Sequence, residues 1–459
     1  MLNRKSLEYL SDWYKRNDSR KPLLMRGARQ VGKTTIVRML AERMNAHLVE
    51  LNMEKPWQFT STLEKLDPRS TVEAIEFELN IDIDAENTII FFDEVQSAPE
   101  VLPLLRYFYE ETPEYRVIAT GSLLEFVLAE PEFSIPVGRI ELFHLGPLTF
   151  EEFLEASGES KALDMIRNVS PDQDLNDVVH NKLTRLFRTY ATVGGMPEAV
   201  SRFVTNGSFR EAEKIKSEII ETFRLDFNKY RGRTDPRLLT LVFDRLPQMA
   251  GRKVIFSHIN SDYRSGELSK AVESLHMARI IHKIFKTSGN GVPLAAEKNE
   301  AFFKTILLDT GLFLTQLKIN PVEIETADEL NLVNEGTVAE QAVGQELASL
   351  QPFYSEPELY YWVREKKASS AEVDYLITDS KNRVVPVEVK AGSTGSLRSI
   401  QMMVFEKSLP LAVRFNSEKP SILKENRKTV KGEVNFTLVS LPHYLAGQVI
   451  RIQEEVISK

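Results

Sequence analysis

A chain of 459 residues, 42% hydrophobic and 27% charged, has the composition of ordinary globular protein, and at about 150 residues per domain it should form roughly three folding units. A formal net charge of −8 and a pI of about 5.7 exclude a whole-chain positive field for nucleic acid and leave only a local basic groove. With no cysteine there is no disulfide framework or thiolate metal site, and the 7 histidines form no H-x-x-x-H pair to hold zinc.

The N-terminal stretch mixes charged with apolar residues and lacks a small-residue cleavage site, and no apolar run approaches the ~18 residues of a membrane span. A cytoplasmic protein without a membrane partner is expected. Leu7, Leu10 and Tyr14 share one helical face, which predicts a helix packed on a sheet.

Leu23 to Val37 reads as strand, loop and helix. At its centre stands a complete G-x-x-x-x-G-K-[ST] pattern, Gly27-Ala28-Arg29-Gln30-Val31-Gly32-Lys33-Thr34. A triphosphate needs backbone N–H groups wrapped around it, so glycines belong where a Cβ would block close approach. These eight residues with Thr35 are the candidate nucleotide-binding set. Lys33 would reach the β- and γ-phosphates, and Thr34 would offer its hydroxyl to Mg2+. The following helix and the strand His47 to Met53 complete a β-α-β unit, which implies a parallel sheet.

Thr88 to Phe92 is a continuous apolar run, as in a strand buried on both faces, and it delivers Asp93 and Glu94 together at its end. Asp93 is placed to hold Mg2+, and Glu94 is the candidate base that activates an attacking water. The next strand, Arg116 to Ser122, brings two candidates to sense the γ-phosphate or position water, Thr120 and Ser122. Alternation does not choose between them, because the strand ends at Gly121.

Residues 151–230 are helical in pattern and should form a lid over the nucleotide. From Pro236 to Leu317 come three amphipathic helices, the first on Leu238, Leu241, Val242 and Leu246, followed by strand-like ARIIHKIF, the pattern of a winged helix-turn-helix. Its third helix sets Glu267 and Glu273 against Lys270, with Arg264 just before it. That balance favours a packing or protein-contact module over a DNA reader.

The last segment has two strands, Glu372 to Ile377 and Val384 to Lys390. Pairing them would bring Asp374, Glu388 and Lys390 to one spot. Upstream, the helix around Val338 to Leu347 sets Glu340 on a face with Val343 and Leu347, while Glu346 points elsewhere. A carboxylate on an otherwise apolar face needs a partner or a metal, so Glu340 is the fourth candidate.

The segments GARQVGKTT, FFDEVQ, IATGS and GRIELFHLGPLTFEEF resemble the AAA+/STAND-type ATPases of bacteria and archaea. More narrowly, they resemble a family in which this ATPase is fused to a winged helix and a nuclease-like C-terminal domain. The resemblance implies that Asp93 and Glu94 form the Walker B pair. It also implies that Arg139 approaches the phosphates of its own or a neighbouring subunit, and that Pro197, in YATVGGMP, packs near adenine. A solvated Arg139 and an ordinary helix-to-helix turn at Pro197 are the plainer alternatives. The helix Glu340, strand Asp374 and E-x-K pair Glu388 and Lys390 resemble the PD-(D/E)XK nuclease fold, whose acids hold Mg2+ or Mn2+. Val373 stands where the family has proline.

The expected fold is α/β: an AAA+ P-loop core with a parallel sheet (1–150), a helical lid (151–230), a winged helix (231–325) and a PD-(D/E)XK-like α/β domain (326–459). The expected activity is an ATP-hydrolysing switch controlling a nuclease-like effector, with ATP and Mg2+ as cofactors and Mn2+ as an option at the C-terminal site. DNA, RNA, protein partners or further copies of the chain are the candidate partners. A scaffold with an inactive nuclease-like domain is the alternative. A P-loop kinase is a third class, disfavoured by adjacent Asp93 and Glu94 and by the helical lid and winged helix downstream.

Overall fold

The computed structural model describes residues 2–17, 20–122, 124, 138–230, 234–319, 335–364, 371–392, 397–429 and 432–458. The expected boundaries at 230/231 and 325/326 fall outside these residues. The chain forms two compact units. The first is Met1–Gly146 with Met277–Arg279 and Pro352–Glu356; the second is Pro147–His276, Ile280–Gln351 and Pro357–Lys459.

In the first unit five strands form a parallel sheet: β1 (Leu23–Arg26), β2 (His47–Asn52), β3 (Thr88–Asp93), β4 (Arg116–Thr120) and β5 (Glu141–His144). Their order is β2-β3-β4-β1-β5, so β4 stands between β1 and β3. Every residue of β3 and β4 is buried, which explains the apolar centres of both strands, Ile89–Phe92 and Val117–Ala119. The Ser6–Lys15 helix buries Leu7, Leu10 and Tyr14, as its spacing requires, and packs on the Lys33–Met44 helix.

The β5 edge is covered by a segment from far along the chain. His144 N–H donates to the Phe353 carbonyl at 2.7 Å, and the Phe353 ring stacks on Phe143 with centroids 5.4 Å apart. Tyr9 meets the same ring edge-on at 5.8 Å. Glu356 pairs with Arg279, so the two outlying pieces of this unit are joined to each other by an ion pair.

The second unit opens with helices Phe150–Ala156, Ser160–Asn168, Asp177–Val193, Pro197–Asn206 and Phe209–Asp226. Helices Pro236–Arg245, Phe256–Ile259 and Ser265–Met277 follow, leading into the antiparallel pair β6 (Ile281–Thr287) and β7 (Lys298–Leu307). The remaining strands are β8 (Leu359–Val363), β9 (Glu372–Thr378), β10 (Val384–Val389), β11 (Leu411–Asn416), β12 (Ser421–Thr429) and β13 (Gly432–Pro442). All eight join one mixed sheet in the order β12-β13-β11-β10-β9-β8-β6-β7. The β6–β7 pair, assigned from sequence to a separate winged helix, is thus continuous with the C-terminal strands. Parallel pairing of β6 with β8 makes the join.

Among the described residues no helix is long and apolar enough to cross a membrane. Inside the second unit, the Glu335–Ser349 helix is fixed by buried polar side chains. Glu346 Oε1 accepts from Phe150 N–H at 2.9 Å and lies 2.8 Å from the Tyr190 hydroxyl, which also lies 2.9 Å from the Leu148 carbonyl and accepts from Gln345 Nε2. Glu346, read from sequence as merely off the apolar face, is as buried as its neighbours, because this helix is enclosed on more than one side. Removing the Tyr190 hydroxyl leaves several buried groups short of a partner. Tyr190→Phe should destabilise the protein by about 1–3 kcal/mol in denaturant unfolding, with little change in secondary structure.

Candidate functional site

The C-terminal ends of β1, β3 and β4 lie side by side, and the residues that follow them form one cluster. After β1 the chain turns at Gly27, whose φ is +155°, and a Cβ there would stand 2.3 Å from the Leu145 carbonyl oxygen. No side chain fits this crossing. Ala28 and Val31 are fully buried and pin the loop to the core, while Gly32, in the left-handed region, caps the helix that starts at Lys33. Arg4 adds a clamp absent from the sequence reading, donating to the Val31 carbonyl at 3.3 Å and to the Gly146 carbonyl at 2.8 Å.

Lys33 Nζ donates to the Gly27 and Ala28 carbonyls, each at 2.9 Å, so the ammonium is held back against its own loop. The Thr34 hydroxyl donates to Asp93 Oδ2 at 2.8 Å. Asp93 Oδ1 accepts from the Thr120 hydroxyl and, at 3.0 Å, from Glu94 N–H. Thr120 can make this bond because β4 stands between the loop strand and the acid strand. Glu94 has φ +55°, a left-handed conformation that carries strain for a residue with a side chain. Its Oε2 accepts from Gln96 Nε2 and, at 3.3 Å, from the Ser122 hydroxyl. Arg29 Nε donates to Ser122 at 3.4 Å. The two hydroxyls thus have different partners: Thr120 holds Asp93, and Ser122 faces Glu94. Gln96 was missed in the sequence, where its only signal is its place two residues after Glu94, in the short Val95–Ser97 turn.

A nucleotide with Mg2+ fits this chemistry. A hydroxyl and a carboxylate converge as oxygen donors at Thr34 and Asp93, and an ammonium stands against the glycine loop. Arg139 lies elsewhere. Glu141 pairs with Leu23 and His144 with Arg26, so Arg139 stands beyond the N-terminal end of β5, away from the loop that follows β1. It pairs with Glu110 at 2.7 Å on the surface. The expectation that Arg139 reaches the phosphates of its own subunit is therefore corrected by strand direction. Pro197 opens the Pro197–Asn206 helix in the second unit, after Gly195, whose N–H donates to Asp309.

The four candidate nuclease residues also lie in the second unit. β9 and β10 pair antiparallel, with Val387 opposite Tyr375, and Asp374 Oδ2 accepts from Val389 N–H at 2.8 Å. Glu388 pairs with Lys390. Between Asp374 and Glu340 stands a residue that sequence reasoning missed, Lys304 of β7. Its Nζ lies 3.0 Å from Glu340, 2.6 Å from Glu372 and 3.8 Å from Asp374. Burial opposes its charge, but Glu340, Asp374 and Glu372 outweigh burial and hold its pKa above the ordinary lysine value. Burial and the Asp374 charge push Glu340 and Glu388 above the ordinary carboxylate range, against the pull of Lys304 on the first and Lys390 on the second. Among the described residues, no three His, Cys, Asp or Glu side chains are grouped to hold a metal ion. Among the residues expected to hold Mg2+ or Mn2+, Glu340 thus pairs with Lys304, Asp374 lies 3.8 Å from the same ammonium, and Glu388 pairs with Lys390.

Residues 19–154 match the model of the AAA domain family, and this part of the chain is an AAA-type P-loop ATPase domain. Residues 184–323 and 335–444 match two domains of unknown function, DUF8612 and DUF4143. No curated protein matches the sequence. Among solved structures, the chain is similar to the Walker-type ATPase PABY2304 of Pyrococcus abyssi, at 15% identity and TM-score 0.43, over 69% of this chain and 96% of that one. It is also similar to the Aeropyrum pernix ORC2 protein, at 12% identity and TM-score 0.35, over 69% and 93%.

Two outcomes are expected. Gly27→Ala sets a methyl against the Leu145 carbonyl and should weaken nucleotide binding by about tenfold or more, read by titration with a fluorescent ATP analogue. In the second unit, His443 Nε2 meets the Lys390 carbonyl at 2.8 Å, and burial, with Arg188 nearby, lowers its pKa to about 4. A depressed histidine lends stability above its unfolded value of about 6.5 and loses it as pH falls toward 4. His443→Gln should therefore flatten the loss of thermal stability across that window.

Proposed function

We propose that the protein is an ATP-binding and ATP-hydrolysing switch of the AAA type, whose second unit is the effector. The observation that carries this reading is the shared Asp93 carboxylate, bonded to Thr34 on one oxygen and to Thr120 and Glu94 N–H on the other. When bound, Mg2+ would screen the phosphate charge, held by Thr34 and Asp93. Lys33 leaves the Gly27 and Ala28 carbonyls for the β- and γ-phosphates. The N–H groups from Gly27 to Thr35 surround them, and Glu94, steered by Gln96 and Ser122, accepts a proton from the attacking water. Arg139 on the surface is free of that role in its own chain; its proposed role is toward the nucleotide of a neighbouring copy in a self-associated form.

In this reading residues 151–230 are the lid, with Pro197 as the adenine contact. The helices Pro236–Arg245, Phe256–Ile259 and Ser265–Met277 with the β6–β7 ribbon are a winged-helix-like module used for protein contact, its third helix carrying Glu267 and Glu273, and its ribbon extends the C-terminal sheet rather than standing apart from it. The C-terminal part is a PD-(D/E)XK-like domain. Cleavage of DNA or RNA under ATP control is one form of the effector. The other, a scaffold whose nuclease-like part does not cut, is favoured by the Lys304 ammonium among the acids.

The test is phosphate release by the full chain with Mg2+ and ATP, run beside cleavage assays on single- and double-stranded DNA and RNA. Lys33→Ala should abolish nucleotide binding, and Glu94→Gln should bind ATP yet release phosphate about a hundredfold more slowly. Equal turnover by wild type and Glu94→Gln would overturn the assignment of the base.

A further inference from the structure

We propose that Lys304 is a built-in cation that takes the place of a divalent metal in the acidic cluster of the C-terminal sheet, making this centre metal-independent. The inference rests on the nuclease-like reading of that domain.

Geometry carries it. Lys304 has no exposed surface, and its Nζ lies over the Tyr361 ring, 5.2 Å from the centroid. An ammonium has three N–H donors, and three carboxylates stand within 4 Å of it: Glu340 from the Glu335–Ser349 helix, and Glu372 and Asp374 from β9. Its separations from Glu340 and Glu372 are those of charge-assisted hydrogen bonds, and a divalent ion between these oxygens would meet the ammonium at contact distance. The second oxygens of Asp374 and Glu340 are also engaged or enclosed, while Glu372 reaches in from a partly exposed position. Asp374 Oδ2 is bonded to Val389 N–H, and Glu340 Oε2 faces Gly251 so closely that a Cβ there would stand 2.7 Å away. Gly251 itself has φ +73°, so the wall is bare backbone in a conformation glycine favours.

The chemistry follows from the charge. An ammonium has no vacant orbital to coordinate and acidify a water, which is the chemistry a divalent ion in that position would supply. What the lysine supplies is cohesion: one fully buried cation ties the edge strand β7 to β9 and to the helix that carries Glu340.

The test uses the full chain with Asp93→Asn, which removes the metal position of the phosphate loop, and Mn2+ alone as the probe, with no nucleotide. Free Mn2+ is followed by electron paramagnetic resonance at neutral pH. The protein with Lys304 intact should show no Mn2+ site that Asp374→Asn removes. Adding Lys304→Met should create one such site, and adding Asp374→Asn to that variant should abolish it. One Mn2+ bound through Asp374 while Lys304 is present overturns the proposal, and so does a folded Lys304→Met protein that gains no site. Should Lys304→Met fail to fold, the first comparison decides alone. Phosphate release by the wild-type chain reads the ATPase independently, and cleavage that needs both Asp374 and Mn2+ would restore a working nuclease while overturning the lysine assignment.

Discussion

The Asp93 carboxylate is the group on which the first unit's chemistry depends. It accepts from Thr34 at the start of a helix, from Thr120 at the end of β4 and from the backbone of Glu94. Those bonds exist only because β4 lies between β1 and β3, and that order is a property of the whole sheet. A carboxylate so held needs little reorganisation when a cation arrives, since hydroxyl dipoles already fix its direction. The strained Glu94 follows from the same arrangement: its N–H serves Asp93 while its side chain turns to Gln96 and Ser122.

The two acidic centres of this chain solve one electrostatic problem differently. Around Asp93 the donors are neutral hydroxyls and an N–H, which orient the charge without cancelling it. Around Glu340, Glu372 and Asp374 the donor is a full positive charge. Neutral donors suit a site that gains and loses a cation with each cycle; an internal ammonium suits one that does not change.

Legibility in the sequence followed contiguity. The phosphate loop, the acid pair after β3 and the alternation in β9 and β10 are local patterns, and chemistry could be assigned to them residue by residue. Thr120 and Ser122 were visible as a pair but could not be told apart, because the distinction depends on which acid each faces. Lys304 was invisible: it is one of two lysines in a strand of mixed polar and apolar residues, and its partners lie 36 to 70 positions further along the chain. Arg139 was misread for its own chain because strand direction, not spacing, decides which end of the sheet a residue occupies. Separating the β6–β7 pair from the C-terminal strands failed for a related reason, since the parallel partner of β6 is β8, beyond the whole Glu335–Ser349 helix.

The segment around Phe353 bears on how this protein comes to be folded at all. β5 is an edge strand whose backbone and Phe143 ring are covered by residues synthesised two hundred positions later. Until they emerge, the nascent ATPase sheet has one side open to strand addition and an aromatic surface exposed to any passing chain. A fragment that stops at the end of the P-loop domain would keep that vulnerability permanently. The ATPase motif is contiguous in sequence, but the unit that carries it is completed only by segments far downstream, Met277–Arg279 and Pro352–Glu356.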